Sequence, residues 1–283
     1  MSEYYLGVLA GLVASLLWSI NPGLISLLGK KESTLLLNAL RGLFAALVLL
    51  VPVSLWSSFY IGGYTGFAII YLSAFFGPLL GDLFYIHSIK SIGGGNAVAI
   101  SYSYIFFAQF FSHFFYGEKV SVRLVVGAVL ALIGIQLVYY GEKSRFGLLG
   151  FALALSAAIS WGLGATLSKL ALRYGDPLVI AFYRNLSVFI SLLPFTLGNK
   201  YNWFSKNALI IGLVSGGLGF GVGMTMFLYG IEKVGVSLTT LVTSLTPVLG
   251  RVIAEHMAGE AASPQAYLGT LLSSIGIVIG VSK

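Results

Sequence analysis

The sequence predicts an all-α polytopic membrane protein of ten transmembrane helices, laid out as two inverted five-helix repeats. Composition comes first: only 9% of the 283 residues are charged and 58% are hydrophobic, and mean hydropathy is +0.95, whereas soluble domains carry about 25% charged residues. Run length comes second. A helix crosses the hydrocarbon core with about 20 apolar residues, and such stretches fall at 4–28, 34–55, 66–89, 96–115, 122–140, 147–171, 177–197, 208–230, 236–257 and 264–281. None shows the period-two alternation of barrel strands, so closed β structure is not expected.

Internal repetition is the third observation. Trp18 to Trp161 and Arg41 to Arg184 both step by 143; Gly93 to Gly235, Gly117-Glu118 to Gly259-Glu260 and Gly134 to Gly276 all step by 142. The repeats are expected to occupy 1–141 and 147–283. Five spans per copy is odd, so the second copy enters the membrane inverted, about a pseudo-two-fold axis in the membrane plane. Ten spans put both termini on one side.

The elements follow in order. The first segment, "MSEYYLGVLAGL", carries Glu3 where a signal peptide would be basic, so it is expected to be retained as the first span. There is no cysteine, hence no disulfide and no thiolate metal site. The formal charge of +7 sits in short connectors, which fits anchoring to lipid headgroups better than nucleic acid. Lys119, Arg123, Lys169, Arg173, Lys233 and Lys283 fall on the termini side; Lys30, Lys31, Lys90, Lys143, Arg145, Lys200 and Lys206 fall on the other. That balance does not decide orientation by the positive-inside rule. Trp56 and Trp203 occupy corresponding connectors and read as interface anchors.

Polar residues inside the spans are the functional candidates. In the first span Asn21-Pro22-Gly23 removes a backbone donor, which lipid tolerates only where protein or water substitutes. The break is either a packing kink or the border of a solute site. Arg41 and Arg184 would each cost about 2.5–3.5 kcal/mol at a helix centre. They either snorkel or pair, or they meet an anionic or zwitterionic solute. Asp82, the sole aspartate well inside a span, is a proton-coupling candidate or a carboxyl bonded to a facing helix. Gln109 and His113 map onto Arg251 and Glu255, both pairs spaced i, i+4 near a helix end; a gate at the cavity mouth or a coupling site fits them. Thr243, among the hydroxyls of the ninth span, either lines a cavity or bonds its own backbone. Trp18, Trp161, Tyr85 and Tyr102 offer aromatic walls, against ordinary core packing. "GLVSGGLGFGVG" at Gly212 to Gly223 lacks the strand of a dinucleotide fold, so it reads as close helix packing.

"SWG" at Ser160 to Gly162, Lys169, Asp176-Pro177, Arg184, Pro247 and Gly259-Glu260, echoed by Trp18, Arg41 and Gly117-Glu118, resemble the drug/metabolite transporter superfamily, in particular its EamA-type ten-helix members. The first half departs at Ser26, where the family often has Lys, and at Ile105, opposite Pro247. The resemblance implies cytoplasmic termini in the cell membrane, a central cavity lined mostly by helices 1, 3, 4, 6, 8 and 9, and peripheral helices 5 and 10. It implies no particular solute.

Two other classes are weighed. An intramembrane aspartyl protease needs Gly-x-Gly-Asp and a second buried aspartate, but Leu79 stands at the first glycine and Asp176 precedes a helix-entry proline. A channel calls for rings of like charge or a carbonyl filter, and the spans contain no such pattern. The reading is therefore a secondary transporter, not an enzyme, with no cofactor or metal. It moves a small organic solute (amino acid, other metabolite or drug) by alternating access in the export direction. Its partners are the solute and membrane lipid; oligomeric state is open.

Overall fold

A computed structural model describes residues 2–28, 31–138, 140, 147–198, 201–258 and 264–282. Among these, eight helices are long and apolar enough to cross a membrane, and shorter apolar helices stand at the fifth and tenth positions. In chain order they are α1 (Glu3–Trp18, resuming as Asn21–Leu28), α2 (Thr34–Trp56), α3 (Gly63–Ile92), α4 (Gly94–Ser101, resuming as Tyr104–Tyr116), α5 (Val122–Val138), α6 (Leu148–Ala171), α7 (Pro177–Leu197), α8 (Lys206–Val234), α9 (Val236–Thr243, resuming as Thr246–Ala258) and α10 (Pro264–Val281). No strand occurs among the described residues.

The breaks follow local chemistry. Pro22 has no N–H for the carbonyl of Trp18, and α1 turns at Ser19 and Ile20 before continuing. In α9 Pro247 likewise has no N–H for the carbonyl of Thr243, and the Thr246 hydroxyl donates to that oxygen instead, at 2.8 Å. The equivalent interruption in α4, at Tyr102 and Ser103, forms without a proline; Ser103 Oγ bonds the carbonyl of Ile100 at 2.7 Å. Spans α3 and α8 each contain wider π-type turns, at Phe75–Gly81 and Gly212–Gly223. Such bulges mark places where the helical ladder is re-routed, frequently at functional sites.

Both α3 and α8 run past their expected ends, through Lys90 and Lys233. Each lysine has a partner at the rim: Lys90 donates to Thr34 Oγ1 at 2.8 Å, and Lys233 pairs with Glu3 at 3.3 Å. The helices stop instead at Gly93 and Gly235, both with φ of +86°. That conformation is open to glycine at little cost and allows a tight reversal into the next span.

Small residues set the packing. A Cβ on Gly42 of α2 would come within 2.9 Å of the Asn185 carbonyl on α7, and one on Gly127 of α5 within 2.5 Å of the Gly276 carbonyl on α10. Backbone contact of this kind is how helices associate where lipid removes the hydrophobic drive. Spans α5 and α10 pack chiefly on each other. Tyr4 OH bonds the Val281 carbonyl, so both termini lie at one end of the bundle.

Candidate functional site

A cavity of about 110 Å³ lies between the two copies. A water needs roughly 10–15 Å³ of such space, so several waters or a small solute fit. Its walls come from α1, α2, α3 and α4 of the first half and α6, α7 and α8 of the second. Among the described residues α9 supplies no lining residue, unlike the helix set that the resemblance implied, while α2 and α7 supply Arg41 and Arg184. Thr243 accordingly does not reach the cavity: it is fully buried, bonded to Tyr104 OH at 2.6 Å, and Tyr104 faces the space in its place.

The charged centre is built on α2 and α3. Arg41 Nη1 donates to Asp82 Oδ2 at 2.8 Å and to Asn38 Oδ1 at 3.3 Å, and Arg41 Nε donates to Ser215 Oγ at 2.8 Å. The guanidinium carbon lies 3.8 Å above the Phe220 ring. Asp82 directly follows the π segment of α3, and its Oδ1 accepts from Trp161 Nε1 at 2.9 Å. One carboxylate therefore joins span α2 of the first repeat to span α6 of the second. The ring of Trp161 in turn packs on Tyr85, Tyr102 and Tyr104 at centroid distances of 4.9, 6.1 and 6.0 Å.

Neither arginine snorkels. Arg41 is 3% and Arg184 2% exposed, and both line the cavity. The pairing alternative holds for Arg41. Arg184 has no carboxylate within ion-pair distance among the described residues; its Nη1 donates to Ser168 Oγ and its Nε has no partner. Asn21 lines the same cavity with a buried, unpartnered Oδ1. Trp18 donates to the Gly219 carbonyl at 2.8 Å and packs on Phe227 at 5.2 Å, so it forms wall and helix contact together.

The two pairs read as gate residues stand at different ends of the bundle. Spans α4 and α9 cross with the end of α4 beside the start of α9, so Gln109 and His113 lie toward the termini end and Arg251 toward the opposite end. Two such pairs would sit at separate mouths. Gln109 is buried, and His113 is exposed with Nδ1 2.9 Å from the Glu118 carbonyl. The side chain of Glu255 lies outside the described residues, as do Gly259 and Glu260.

A contact that sequence reasoning missed lies at the termini end. Glu118, just after α4, receives Lys169 Nζ of α6 at 2.5 Å, the backbone N–H groups of Val236 and Ser237 at 3.1 Å each, and Ser237 Oγ at 2.8 Å. Burial pushes its carboxyl up, but the hydrogen bonds from Lys169, Ser112 and Ser237 outweigh that and hold it at about 2. The carboxylate thus sits on the N-terminus of α9, where exposed amides favour negative charge. The signal was present in the repeated Gly-Glu and in Lys169, both read only as markers. Asn38, one helical turn before Arg41, and Tyr104, Phe220, Met224 and Phe227 were also missed as site residues.

Residues 5–140 and 148–282 each match the EamA-like transporter family. Over 182 residues the chain is 25% identical to a Clostridium kluyveri protein described as an uncharacterized transporter, covering 61% of this chain and 58% of that one. Over 205 residues it is 23% identical to a probable amino-acid metabolite efflux pump of Salmonella typhimurium, covering 66% and 67%. A solved crystal structure shares the fold at a TM-score of 0.83, with 20% identity and 97% of each chain covered. Matched in both halves, the chain belongs to the EamA-like transporter family, within the drug/metabolite transporter superfamily.

Proposed function

We propose that the protein is a secondary transporter that carries a small organic solute through the central cavity by alternating access, in the export direction, with both termini cytoplasmic in the cell membrane. The observation that carries this reading is the cavity itself, which both repeats line and where Asp82 links Arg41 to Trp161 across them. A site shared by inverted repeats is open to one side or the other when the copies rock. The Glu118 contact joins α4, α6 and α9 at the termini end and would have to part for that end to open. The Salmonella relative, described as a probable amino-acid metabolite efflux pump, supports amino-acid metabolites as cargo.

In this reading Asp82 is the coupling group. A proton on its carboxylate removes the charge that holds Arg41 and the acceptor that orients Trp161, so protonation and wall geometry change together. The test is flux in proteoliposomes loaded with radiolabelled amino acids. A carrier saturates and shows counter-exchange, whereas linear flux without exchange means a channel. Asp82→Asn is expected to abolish the dependence on an imposed pH gradient; unchanged dependence removes the coupling role. Protease access to a C-terminal tag in right-side-out vesicles tests the orientation.

A further inference from the structure

The repeat lays the polar centres of the two halves over each other. Gly81 and Gly223, like Asp82 and Met224, are 142 positions apart, and Trp18 and Trp161 are 143 apart. Side-chain geometry keeps that register: a Cβ on Gly81 would lie 2.6 Å from Trp161 Nε1, and one on Gly223 2.9 Å from Trp18 Nε1. In the first half's centre the carboxylate of Asp82 accepts from Arg41 and from Trp161. Arg184 and Trp18 repeat those two donors, but the residue at the carboxylate's position is Met224, whose thioether is uncharged and a weak acceptor.

Both donors show the consequence. Trp18 Nε1 turns to the Gly219 carbonyl at 2.8 Å. Arg184, 2% exposed, donates Nη1 to the neutral Ser168 hydroxyl, and its Nε has no partner. The cavity's carboxylate, Asp82, is already held by Arg41 at 2.8 Å. A guanidinium does not shed its proton to escape burial, and out of water it requires a counter-charge. The cavity that Arg184 lines has room for several waters or for an ion of similar size. Its other walls include Ala165, Met224 and Phe227, apolar surface that suits a weakly hydrated monovalent ion over sulfate or phosphate.

We propose that a small inorganic anion of the chloride class is held on Arg184 as a resident counter-ion, in place of the carboxylate that Met224 does not supply. The ion is a ligand of the folded protein, not its cargo, and the inference does not depend on what the cavity carries.

Thermal unfolding of the whole protein in nanodiscs tests this, with chloride exchanged for the bulky isethionate at constant ionic strength. A ligand bound only by the folded state raises Tm, and the rise expected is about 2–5 °C for each tenfold increase in free chloride above Kd, with bromide acting likewise. Arg184→Gln, which needs no counter-ion, is expected to lose this rise. Met224→Asp supplies the missing carboxylate beside an intact Arg184 and is expected to lose it too, whereas Met224→Leu keeps it. Anomalous diffraction from bromide-soaked crystals is expected to show the ion on the Arg184 guanidinium. A wild-type Tm indifferent to halide, a rise that survives in folded Arg184→Gln or Met224→Asp, or bromide bound only elsewhere overturns the proposal. If neither charge variant folds, the wild-type response and the bromide position still decide. None of these readouts involves flux, so a failure of the transport reading leaves the ion site standing, and the reverse holds as well.

Discussion

Replacing Glu118 with glutamine removes the charge that ties the end of α4 to Lys169 and to the start of α9. The carboxyl lies at about 2 against an ordinary value of 4.5. At about 1.36 kcal/mol per tenfold change, that difference is at most about 3.4 kcal/mol. Lys169 is 34% exposed, and solvent screening of such a pair reduces the figure to roughly 1–2 kcal/mol. The sign follows from the lowered value. The stabilisation is complete above 4.5 and is lost progressively as pH falls from 4.5 through 2. Thermal unfolding of wild type and Glu118→Gln in nanodiscs measures it. At about 2–4 °C per kcal/mol for a chain of this size, the variant is expected to melt about 2–8 °C lower at pH 7. By pH 3 the gap is expected to shrink to less than about half, because the unfolded chain's carboxyl is then protonated while the folded one still holds its charge, and proton binding favours the unfolded state. Equal Tm at pH 7, or a gap unchanged at pH 3, would refute the reasoning.

Three further outcomes are expected. Thr246→Val leaves the Thr243 carbonyl without the donor that stands in for Pro247, at a cost of about 1–3 kcal/mol in unfolding free energy, while Thr246→Ser retains the stability. Gly127→Ala pushes a methyl group to 2.5 Å from the Gly276 carbonyl; it lowers stability by about 1–3 kcal/mol yet leaves the rise of Tm with chloride unchanged, since α5 and α10 stand away from the cavity. Trp161→Phe keeps a ring but loses the N–H that meets Asp82. Unfolding is expected to show a loss of about 1.5–3 kcal/mol, the range for a hydrogen bond to a charged group.

Much of the architecture was legible because the bilayer asks a simple question of each segment. Length and hydropathy answer it span by span, and the step of 142 or 143 between Trp18 and Trp161, Arg41 and Arg184, or Gly93 and Gly235 exposes the duplication without any knowledge of contacts. The break in α1 was legible too, since Pro22 lacks a donor wherever it stands. Its counterpart in α4 has no proline and was not. The π turns in α3 and α8 were equally hidden, because a wider turn depends on what the helix packs against: Gly164 and Arg184 beside Gly77, and the Arg41 backbone beside Gly216.

The amino-acid sequence by itself determined that the chain is a membrane protein of two five-span copies, and which rare polar residues the lipid would not accept. Tertiary structure alone decided how those residues are used. Arg41 and Asp82 are 41 positions apart and meet; Thr243 is shielded by Tyr104. Burial makes every charge require a partner, but only the crossing of helices sets which partner is within reach, and for Arg184 it provides no carboxylate among the described residues.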